Sequence, residues 1–307
     1  MNRNIPLNVK TEIEPSRYFG CEKCDNTGFV SVNIDGYDFK EKCECYNTFQ
    51  LNKLKEDSNI PEKYINAIFD LDKSVECKRV FPIGYKKVEM NINGTIKKKR
   101  VLQFNKKLLK VDMNGFGVQY VNNSAKYLNE SPRTKSVGLI LSGEVGSGKT
   151  YFACAVANEF IKQGFSVCYL KTKQYIDNII KDSFCNDDVR VKNLKKKRDY
   201  LNGFNANHKD NCHLLILDEL GFEYQKNDSG FALAEIKDLL RNRAEKSLPT
   251  IITTNFLLNE LAEVYEEELM SMFAESYMFF WVICPDDYRI KKSLKLDEDF
   301  DFDSIKA

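Results

Sequence analysis

The sequence predicts an α/β protein in which a five-stranded parallel sheet is flanked by helices and a small cysteine-rich module comes first. Three observations support this fold class. From residue 137 onward, short apolar segments alternate with longer amphipathic ones. The first apolar segment runs directly into the glycine-rich sequence GEVGSGKT at 143–150. Four of the ten cysteines lie between positions 21 and 45.

The composition indicates a globular protein with a substantial core. Of the 307 residues, 43% are hydrophobic and 30% are charged, and the formal net charge is +1, which excludes the disordered class. No run approaches the ~18 consecutive apolar residues of a membrane span, and the first residues lack the apolar core of a secretory signal. We therefore expect a cytoplasmic protein that binds no membrane.

Composition also divides the chain into four regions. We predict a cysteine module at 1–55, a linker with a basic β-hairpin insertion at 56–135, the α/β domain at 136–290 and an acidic tail at 291–307. The tail contains DEDFDFD, an acidic run with two aromatic residues. We expect it to be disordered by itself and to be able to bind a partner.

Hydrophobic periodicity predicts the elements of the α/β domain. Apolar segments of five or six residues predict strands that are covered on both faces, as in a parallel sheet. These segments are 137–141, 166–170, 212–217, 250–254 and 279–284. Amphipathic periodicity predicts helices at 151–163, 174–181, 191–201, 231–244 and 259–273.

Residues 143–150 match the phosphate-binding pattern G-x-x-x-x-G-K-[ST] between a predicted strand and a predicted helix, the context that the pattern requires. Its glycines let backbone N–H groups point inward beside the positive end of a helix dipole. Lys149 would reach the β- and γ-phosphates, and Thr150 would offer a hydroxyl to Mg²⁺. The predicted nucleotide contacts are Gly143, Glu144, Val145, Gly146, Ser147, Gly148, Lys149 and Thr150. The alternative is a glycine-rich turn with a surface lysine.

Two acids follow the apolar run LLIL at 214–217. Asp218 lies where the other protein contact of Mg²⁺ is expected, at the carboxyl end of a buried strand. Glu219 then fits a general base that orients and deprotonates a water molecule. The alternative is that this pair caps a helix. A further strand ends at Asn255, whose amide could hold that water, although Asn is also common in turns after strands.

The N-terminal cysteines form two close pairs, Cys21 with Cys24 and Cys43 with Cys45. Between the pairs, alternating segments on both sides of a DG dipeptide predict a β-hairpin. Two thiolate pairs in a region too small for an apolar core indicate a four-cysteine structural zinc site, and reduced free thiols are the alternative. A closed zinc site has no open position for catalysis, so we expect the module to contact a protein or nucleic acid.

The segment 85–110 contains nine lysines and arginines against one acid, Glu89. The NG dipeptide in its middle predicts a tight hairpin turn, and pairing across it sets Glu89 opposite Lys98 and Lys87 opposite Arg100. Neither face of this ribbon is continuously apolar, so we expect it to project into solvent, where it would suit a nucleic-acid backbone. The alternative is a solvated lysine-rich insertion.

With GEVGSGKT, LLILDELG and TIITTN in this order, and SNIPEKY some eighty residues earlier, the chain resembles the DnaC/DnaI-type helicase loaders and their IstB-like relatives, which are AAA+ ATPases. The resemblance covers about 56–290, and the cysteine pairs resemble the zinc module that phage and DnaI-type loaders carry in front. The residue roles that it implies are Walker A for Lys149 and Thr150, Walker B for Asp218 and Glu219, sensor 1 for Asn255 and a sensor-2-like arginine for Arg289.

The chain departs from this family in one respect that concerns catalysis. Family members usually carry an arginine between sensor 1 and the last strand that acts on a neighbour's ATP, whereas 256–288 contains no lysine or arginine. Such a finger contributes about 10³ to 10⁵ in rate, so we expect weak hydrolysis or a charge supplied from elsewhere. Only 23 residues, 285–307, follow the last predicted strand, and we therefore expect no C-terminal lid, as in the loaders.

The resemblance implies an ATP-hydrolysing accessory protein of DNA replication that binds a replicative helicase and assists its loading onto single-stranded DNA. Its expected cofactors are ATP, Mg²⁺ and Zn²⁺, and a self-oligomer is a further candidate partner. Two other hypotheses stay open. One is an IstB-like transposition ATPase that binds duplex DNA, and the other is a helicase adaptor or inhibitor that binds nucleotide without hydrolysing it.

Overall fold

The computed structural model describes residues 21–25, 27–34, 36–70, 76–92, 95–105, 109–130, 137–183, 185, 187–205, 207, 210–221, 229–265 and 267–282. The chain divides into two compact units, and the boundary falls between Lys53 and Leu54. Among the helices of the described ranges, none is long and apolar enough to span a membrane. The acidic tail and Arg289 lie outside the described residues.

The first unit is built on a short hairpin. Its strands are β1 (Phe29–Ile34) and β2 (Tyr37–Lys42), and helix α1 (Glu44–Asp57) begins in this unit. The strands pair antiparallel with Ile34 opposite Tyr37. Gly36 closes the turn with a φ of 85°, a conformation that glycine adopts without steric cost. The hairpin predicted around the DG dipeptide is therefore confirmed.

The second unit contains a seven-stranded sheet and a separate two-stranded ribbon. Its strands are β3 (Glu76–Val80), β4 (Pro82–Ile92), β5 (Thr95–Phe104), β6 (Leu109–Asp112), β7 (Gly138–Ser142), β8 (Val167–Lys171), β9 (Leu214–Asp218), β10 (Thr250–Thr254) and β11 (Tyr277–Val282). The sheet has the order β6-β3-β11-β7-β10-β9-β8, and β4 pairs with β5 alone.

The five predicted strands are present and run parallel, from β11 through β7, β10 and β9 to β8. The prediction of five strands is nevertheless incomplete, because β3 and β6 extend one edge in antiparallel orientation. Both come from 56–135, the region predicted as linker and hairpin insertion. Among the described side chains of β3, only Cys77 and Val80 are buried, so this strand lacks the continuous apolar run that marks the central ones.

The helices of the second unit cover the central sheet. They are α2 (Met113–Glu130), α3 (Lys149–Lys162), α4 (Thr172–Ser183), α5 (Asp188–Asn202), α6 (Ser229–Glu245), α7 (Leu258–Val264) and α8 (Glu267–Ser276). The single helix predicted at 259–273 is in fact two. The break follows Val264, because Tyr265 takes an extended conformation with a ψ of 153° and buries its whole side chain.

The ribbon of β4 and β5 has the predicted register, with Glu89 opposite Lys98 and Lys87 opposite Arg100. Its predicted projection into solvent is only partly correct. Val101 and Leu102 are each 2% exposed, and β5 packs against α7 and α8. Val101 and Leu102 lie in the core, and the partly buried Tyr85, Val88 and Phe104 pack against it, although neither face of the ribbon shows a long apolar stripe.

Candidate nucleotide-binding and metal sites

The loop at 143–148 connects β7 to α3 at the centre of the sheet. All five residues of β7 are buried, and the strand lies between β10 and β11 at the centre of the sheet. Gly143, Gly146 and Gly148 have φ values of 155°, 81° and 90°, which residues with a side chain rarely adopt. A Cβ at Gly143 would also come within 2.3 Å of the carbonyl oxygen of Val282. The loop therefore depends on glycine both for its conformation and for its close approach to β11.

Lys149 is buried at the start of α3, and its ammonium group lies inside this loop. Nζ donates to the carbonyl oxygens of Gly143 and Glu144, at 2.8 and 2.7 Å, and to Oγ of Ser147 at 3.3 Å. The loop is thus folded around a positive charge at the N-terminal end of a helix, which is a favourable arrangement for a phosphate group.

The other loop residues differ in what they can offer to a nucleotide. Ser147 is buried, whereas Glu144 and Val145 are exposed, with 55% of Val145 accessible. Because the side chains of Glu144 and Val145 point to solvent, these two residues can contribute only their backbone groups to a phosphate site. Six of the eight residues predicted from the glycine-rich pattern form the loop at 143–148, and Lys149 and Thr150 are the first two residues of α3.

Asp218 ends β9 opposite the loop at 143–148, which we call the P-loop, and its side chain is almost completely buried, with 3% exposure. Oγ1 of Thr150 donates to Oδ1 of Asp218 at 2.8 Å, and Oγ1 of Thr253 donates to the same oxygen at 2.6 Å. The structure therefore brings the two predicted Mg²⁺ contacts, Thr150 and Asp218, together. Hydroxyl and carboxylate oxygens are the ligands that Mg²⁺ prefers, so this donor set fits the ion.

Glu219 and Asn255 follow two neighbouring parallel strands at the same edge of the sheet. Glu219 is exposed and has a φ of 62°, an uncommon value for a residue other than glycine. Its backbone N–H donates to Oγ1 of Thr253 at 3.0 Å. Asn255 is half-buried directly after β10. Both side chains thus follow strands whose ends lie beside the P-loop, as their predicted roles require.

Tyr169, in β8, is a site residue that sequence reasoning missed. Its hydroxyl donates to Oδ2 of Asp218 at 2.5 Å, and the side chain is 5% exposed. Burial and the nearby Asp218 carboxylate raise the pKa of Tyr169 well above its usual range. In the sequence this tyrosine is one residue of a run of apolar strand positions, which gives no sign of a polar role.

The segment around SNIPEKY lies along α3, next to the P-loop. Nδ2 of Asn158 donates to the carbonyl oxygens of Tyr64 and Ala67, at 3.2 and 2.8 Å. The rings of Phe69 and Phe152 lie 5.7 Å apart. The sequence predicts a linker here, and it does not predict these contacts with the helix that carries Lys149 and Thr150.

Arg243 is fully buried at the opposite end of the sheet. Its guanidinium donates to five oxygens, which belong to Leu201, Cys212, His213, Pro249 and Thr250. Four of these acceptors are backbone carbonyls, so the side chain ties the end of α5 to the segments that lead into β9 and β10. Because these contacts lie at the end of the sheet away from the P-loop, we assign Arg243 a structural role.

The four N-terminal cysteines come together in the first unit. Sγ of Cys21 lies 3.7 Å from Sγ of Cys43, and Sγ of Cys24 lies 3.5 Å from Sγ of Cys45. All four sulfurs lie within 4.8 Å of one another. Tetrahedral zinc with Zn–S bonds of ~2.3 Å requires S–S distances of about 3.8 Å. The set therefore fits a four-thiolate zinc ion.

Local hydrogen bonds already favour a thiolate in this cluster. Burial acts to raise the pKa of Cys24, but hydrogen bonds from the Gly28 N–H and from the neighbouring cysteines outweigh it, so that this pKa falls to about 7. Burial and the same neighbours raise the pKa of Cys45. Close thiols thus ionise unequally by themselves, and a bound Zn²⁺ would stabilise the thiolate form at all four positions.

The α/β sheet, the P-loop between β7 and α3, and the acidic end of β9 define an AAA+ P-loop nucleotide-binding protein. A model of the IstB-like ATP binding protein family matches residues 132–274. These residues are just under half of the chain, and they are similar to that family.

Two curated proteins are similar to about half of this chain. The replicative helicase loader DnaC of Escherichia coli K12 is 27% identical over 150 residues, which is 49% of this chain and 55% of that protein. The replicative helicase loader DnaI of Bacillus subtilis 168 is 27% identical over 143 residues, 47% of this chain and 40% of that protein. The chain thus spans about half the length of the curated relatives it matches. A crystal structure of DnaI aligns with 58% of this chain and 85% of that chain, with a TM-score of 0.43 and 22% identity.

Proposed function

We propose that this protein is an ATPase of the helicase-loader type, which binds a replicative DNA helicase and assists its loading onto single-stranded DNA. The observation that carries the proposal is the Thr150–Asp218 hydrogen bond, which joins the P-loop to the acidic strand end in a chain whose curated relatives are helicase loaders. We further propose that the protein acts in the cytoplasm.

In the proposed reaction, the backbone N–H groups of the P-loop and the ammonium of Lys149 bind the phosphates of ATP. Mg²⁺, held by Thr150 and Asp218, would neutralise charge on the phosphates. Glu219 accepts a proton from the attacking water, and Asn255 orients that water through its side-chain amide. The products are ADP and inorganic phosphate. Arg289 has a sensor-2-like role in this proposal by resemblance alone.

The isolated chain should hydrolyse ATP slowly. No lysine or arginine occurs between 256 and 288. The basic side chains that the described residues place against α7 and α8 come from β5 and α6, where they make structural contacts. Lys237 and Arg241 of α6 pair with Glu268. Lys99 binds carbonyl oxygens of Glu263 and Tyr265, and Arg100 pairs with Glu267 at 3.1 Å. This observation also favours a second candidate function, a nucleotide-dependent helicase adaptor that does not hydrolyse ATP.

The zinc module is the part that we propose to contact the helicase. In the hairpin, Val32 pairs with Phe39 and Ile34 with Tyr37, and paired residues point to the same face. On this face 47% of Ile34, 72% of Tyr37 and 50% of Phe39 is exposed. An exposed apolar cluster of this kind is typical of a protein-binding surface.

Nucleotide binding and turnover can be tested with two substitutions and one matched control. Lys149→Ala should abolish ATP binding, because it removes the charge inside the P-loop. Glu219→Gln should bind ATP like the wild type and lose turnover, because an amide cannot accept the proton. The control is Lys162→Ala, at an exposed lysine of the same helix that pairs with Glu159. It should change neither ATP binding nor turnover. ATP binding by Lys149→Ala at wild-type affinity would contradict the site.

The partner can be tested by incubating the immobilised full chain with its replicative helicase, with and without ATP. A loader or adaptor should retain the helicase, and Lys149→Ala should show no effect of ATP. Wild-type turnover then separates the two, since only the loader releases phosphate. Capture of a transposase together with duplex DNA, and not of the helicase, would favour the transposition hypothesis.

A further inference from the structure

The carboxylate of Asp218 accepts hydrogen bonds from three hydroxyl groups that belong to three different elements. Thr150, in α3, and Thr253, in β10, donate to Oδ1 at 2.8 and 2.6 Å. Tyr169, in β8, donates to Oδ2 at 2.5 Å. Because only 3% of Asp218 is exposed, these groups and not solvent determine how its carboxylate is oriented.

We propose that Tyr169 and Thr253 are positioning residues that hold the carboxylate of Asp218 in the orientation needed to bind Mg²⁺ together with Thr150. This inference rests on the proposed ATP-dependent function. Neither residue belongs to the glycine-rich loop or to the acid pair, and neither would touch the nucleotide in its proposed role.

Thr253 acts on both acids at the end of β9. Its hydroxyl donates to Oδ1 of Asp218 and also accepts the backbone N–H of Glu219 at 3.0 Å. That second bond helps to hold Glu219 in its unusual positive-φ conformation. One hydroxyl therefore fixes both the metal-binding carboxylate and the backbone of the proposed general base.

Tyr169 prevents rotation of the same carboxylate from the other side. With Oδ1 bound to two threonines, the bond from Tyr169 to Oδ2 fixes the remaining oxygen. Hydrogen-bond partners that orient a metal ligand typically account for 10- to 100-fold in metal affinity. We therefore expect the loss of either hydroxyl to weaken Mg²⁺ binding.

The test uses three buried hydroxyl groups that contact the same aspartate. Tyr169→Phe and Thr253→Val each remove one bond to the carboxylate. Thr172→Val is the matched control, because the Thr172 hydroxyl is fully buried and donates to the backbone oxygen of Asp218 at 2.9 Å. Binding of a fluorescent ATP analogue is measured while Mg²⁺ is titrated, which requires no turnover.

Tyr169→Phe and Thr253→Val should raise the Mg²⁺ concentration for half-maximal binding about tenfold, with metal-free binding unchanged. Thr172→Val should leave it within about twofold of the wild type, and Thr253→Ser, which keeps the hydroxyl, should restore it. If Tyr169→Phe and Thr253→Val raise this Mg²⁺ concentration no more than Thr172→Val does, the two hydroxyls are only structural and the inference is wrong. Failure of the wild type to bind the analogue at any Mg²⁺ concentration would instead contradict the proposed function.

Discussion

The ammonium of Lys99 donates to the carbonyl oxygen of Tyr265 at 2.9 Å. A basic side chain of β5 is thus hydrogen-bonded to the break between α7 and α8. The same group donates to the carbonyl oxygen of Glu263 at 2.6 Å. These carbonyls lie at the C-terminal end of α7, where a positive charge is favourable. The ribbon is therefore anchored to the helices, and its lysines are not equivalent.

Replacing Lys99 should destabilise the second unit. Lys99→Met keeps most of the side-chain length but removes two charge-assisted hydrogen bonds to backbone oxygens, which should lower the free energy of unfolding by about 1 to 3 kcal/mol. Urea denaturation provides the measurement.

The matched control for this prediction is Lys98→Met. Lys98 is the preceding residue of the same strand, and its side chain is 72% exposed in a surface pair with Glu89. Such pairs contribute little, about 1 kcal/mol or less. Equal stability of the two variants would mean that Lys99 is as dispensable as its neighbour.

The central architecture could be predicted because its signals are local. A parallel strand buried on both faces is an apolar run, and both Gly143 and the Lys149–Thr150 pair belong to a pattern with a defined structural context. The NG dipeptide in the sequence likewise predicted the register of β4 and β5, since a two-residue hairpin loop leaves one alignment of the flanking strands.

The remaining contacts could not be predicted because they join residues far apart in the sequence. Tyr169 and Asp218 are 49 positions apart, and nothing in either strand indicates that the phenol reaches the carboxylate. Lys99 and Tyr265 are 166 positions apart. Strand β3, which lies next to the edge strand β6, carries too few apolar residues to be recognised, since its partners and not its own pattern determine its place in the sheet.

The cysteine cluster should bind one Zn²⁺ per chain. Because the metal stabilises the thiolate form of Cys21, Cys24, Cys43 and Cys45, its binding energy is also folding energy of the first unit. Elemental analysis of protein never exposed to chelator should give about one equivalent, and a strong chelator should release it and unfold this unit. A metal content far below one equivalent would contradict the predicted zinc site.

A selective loss of structure distinguishes the zinc site from buried free thiols. Chelation should abolish the signals of the β1–β2 hairpin, while the second unit keeps its cooperative thermal transition. Cys43→Ser should reproduce this effect, whereas Cys77→Ser, at a fully buried cysteine of β3, should leave the zinc content unchanged. Acid should act like the chelator, because protons compete with the metal for the thiolates.

Exposed lysines of the ribbon should contact the phosphates of nucleic acid. Lys86, Lys87 and Lys98 are exposed, whereas Lys99 is anchored to α7, so a test must leave Lys99 unchanged. If all three contact phosphates of a single strand, each contributes about 0.7 units to the slope of log affinity against log salt concentration. Replacing all three by Glu should flatten the slope by about two units and leave ATP affinity unchanged.

A charge-matched triple substitution on α5 controls for the change in net charge. Lys192, Lys195 and Lys196 are also exposed, and their replacement by Glu should leave the slope within about half a unit of wild type if the contact is specific to the ribbon. Titrating single-stranded and duplex DNA separately adds a second result, since a loader should prefer the single strand and a transposition ATPase the duplex. If both triple variants lower affinity equally, the effect reports net charge alone and the ribbon is a solvated insertion.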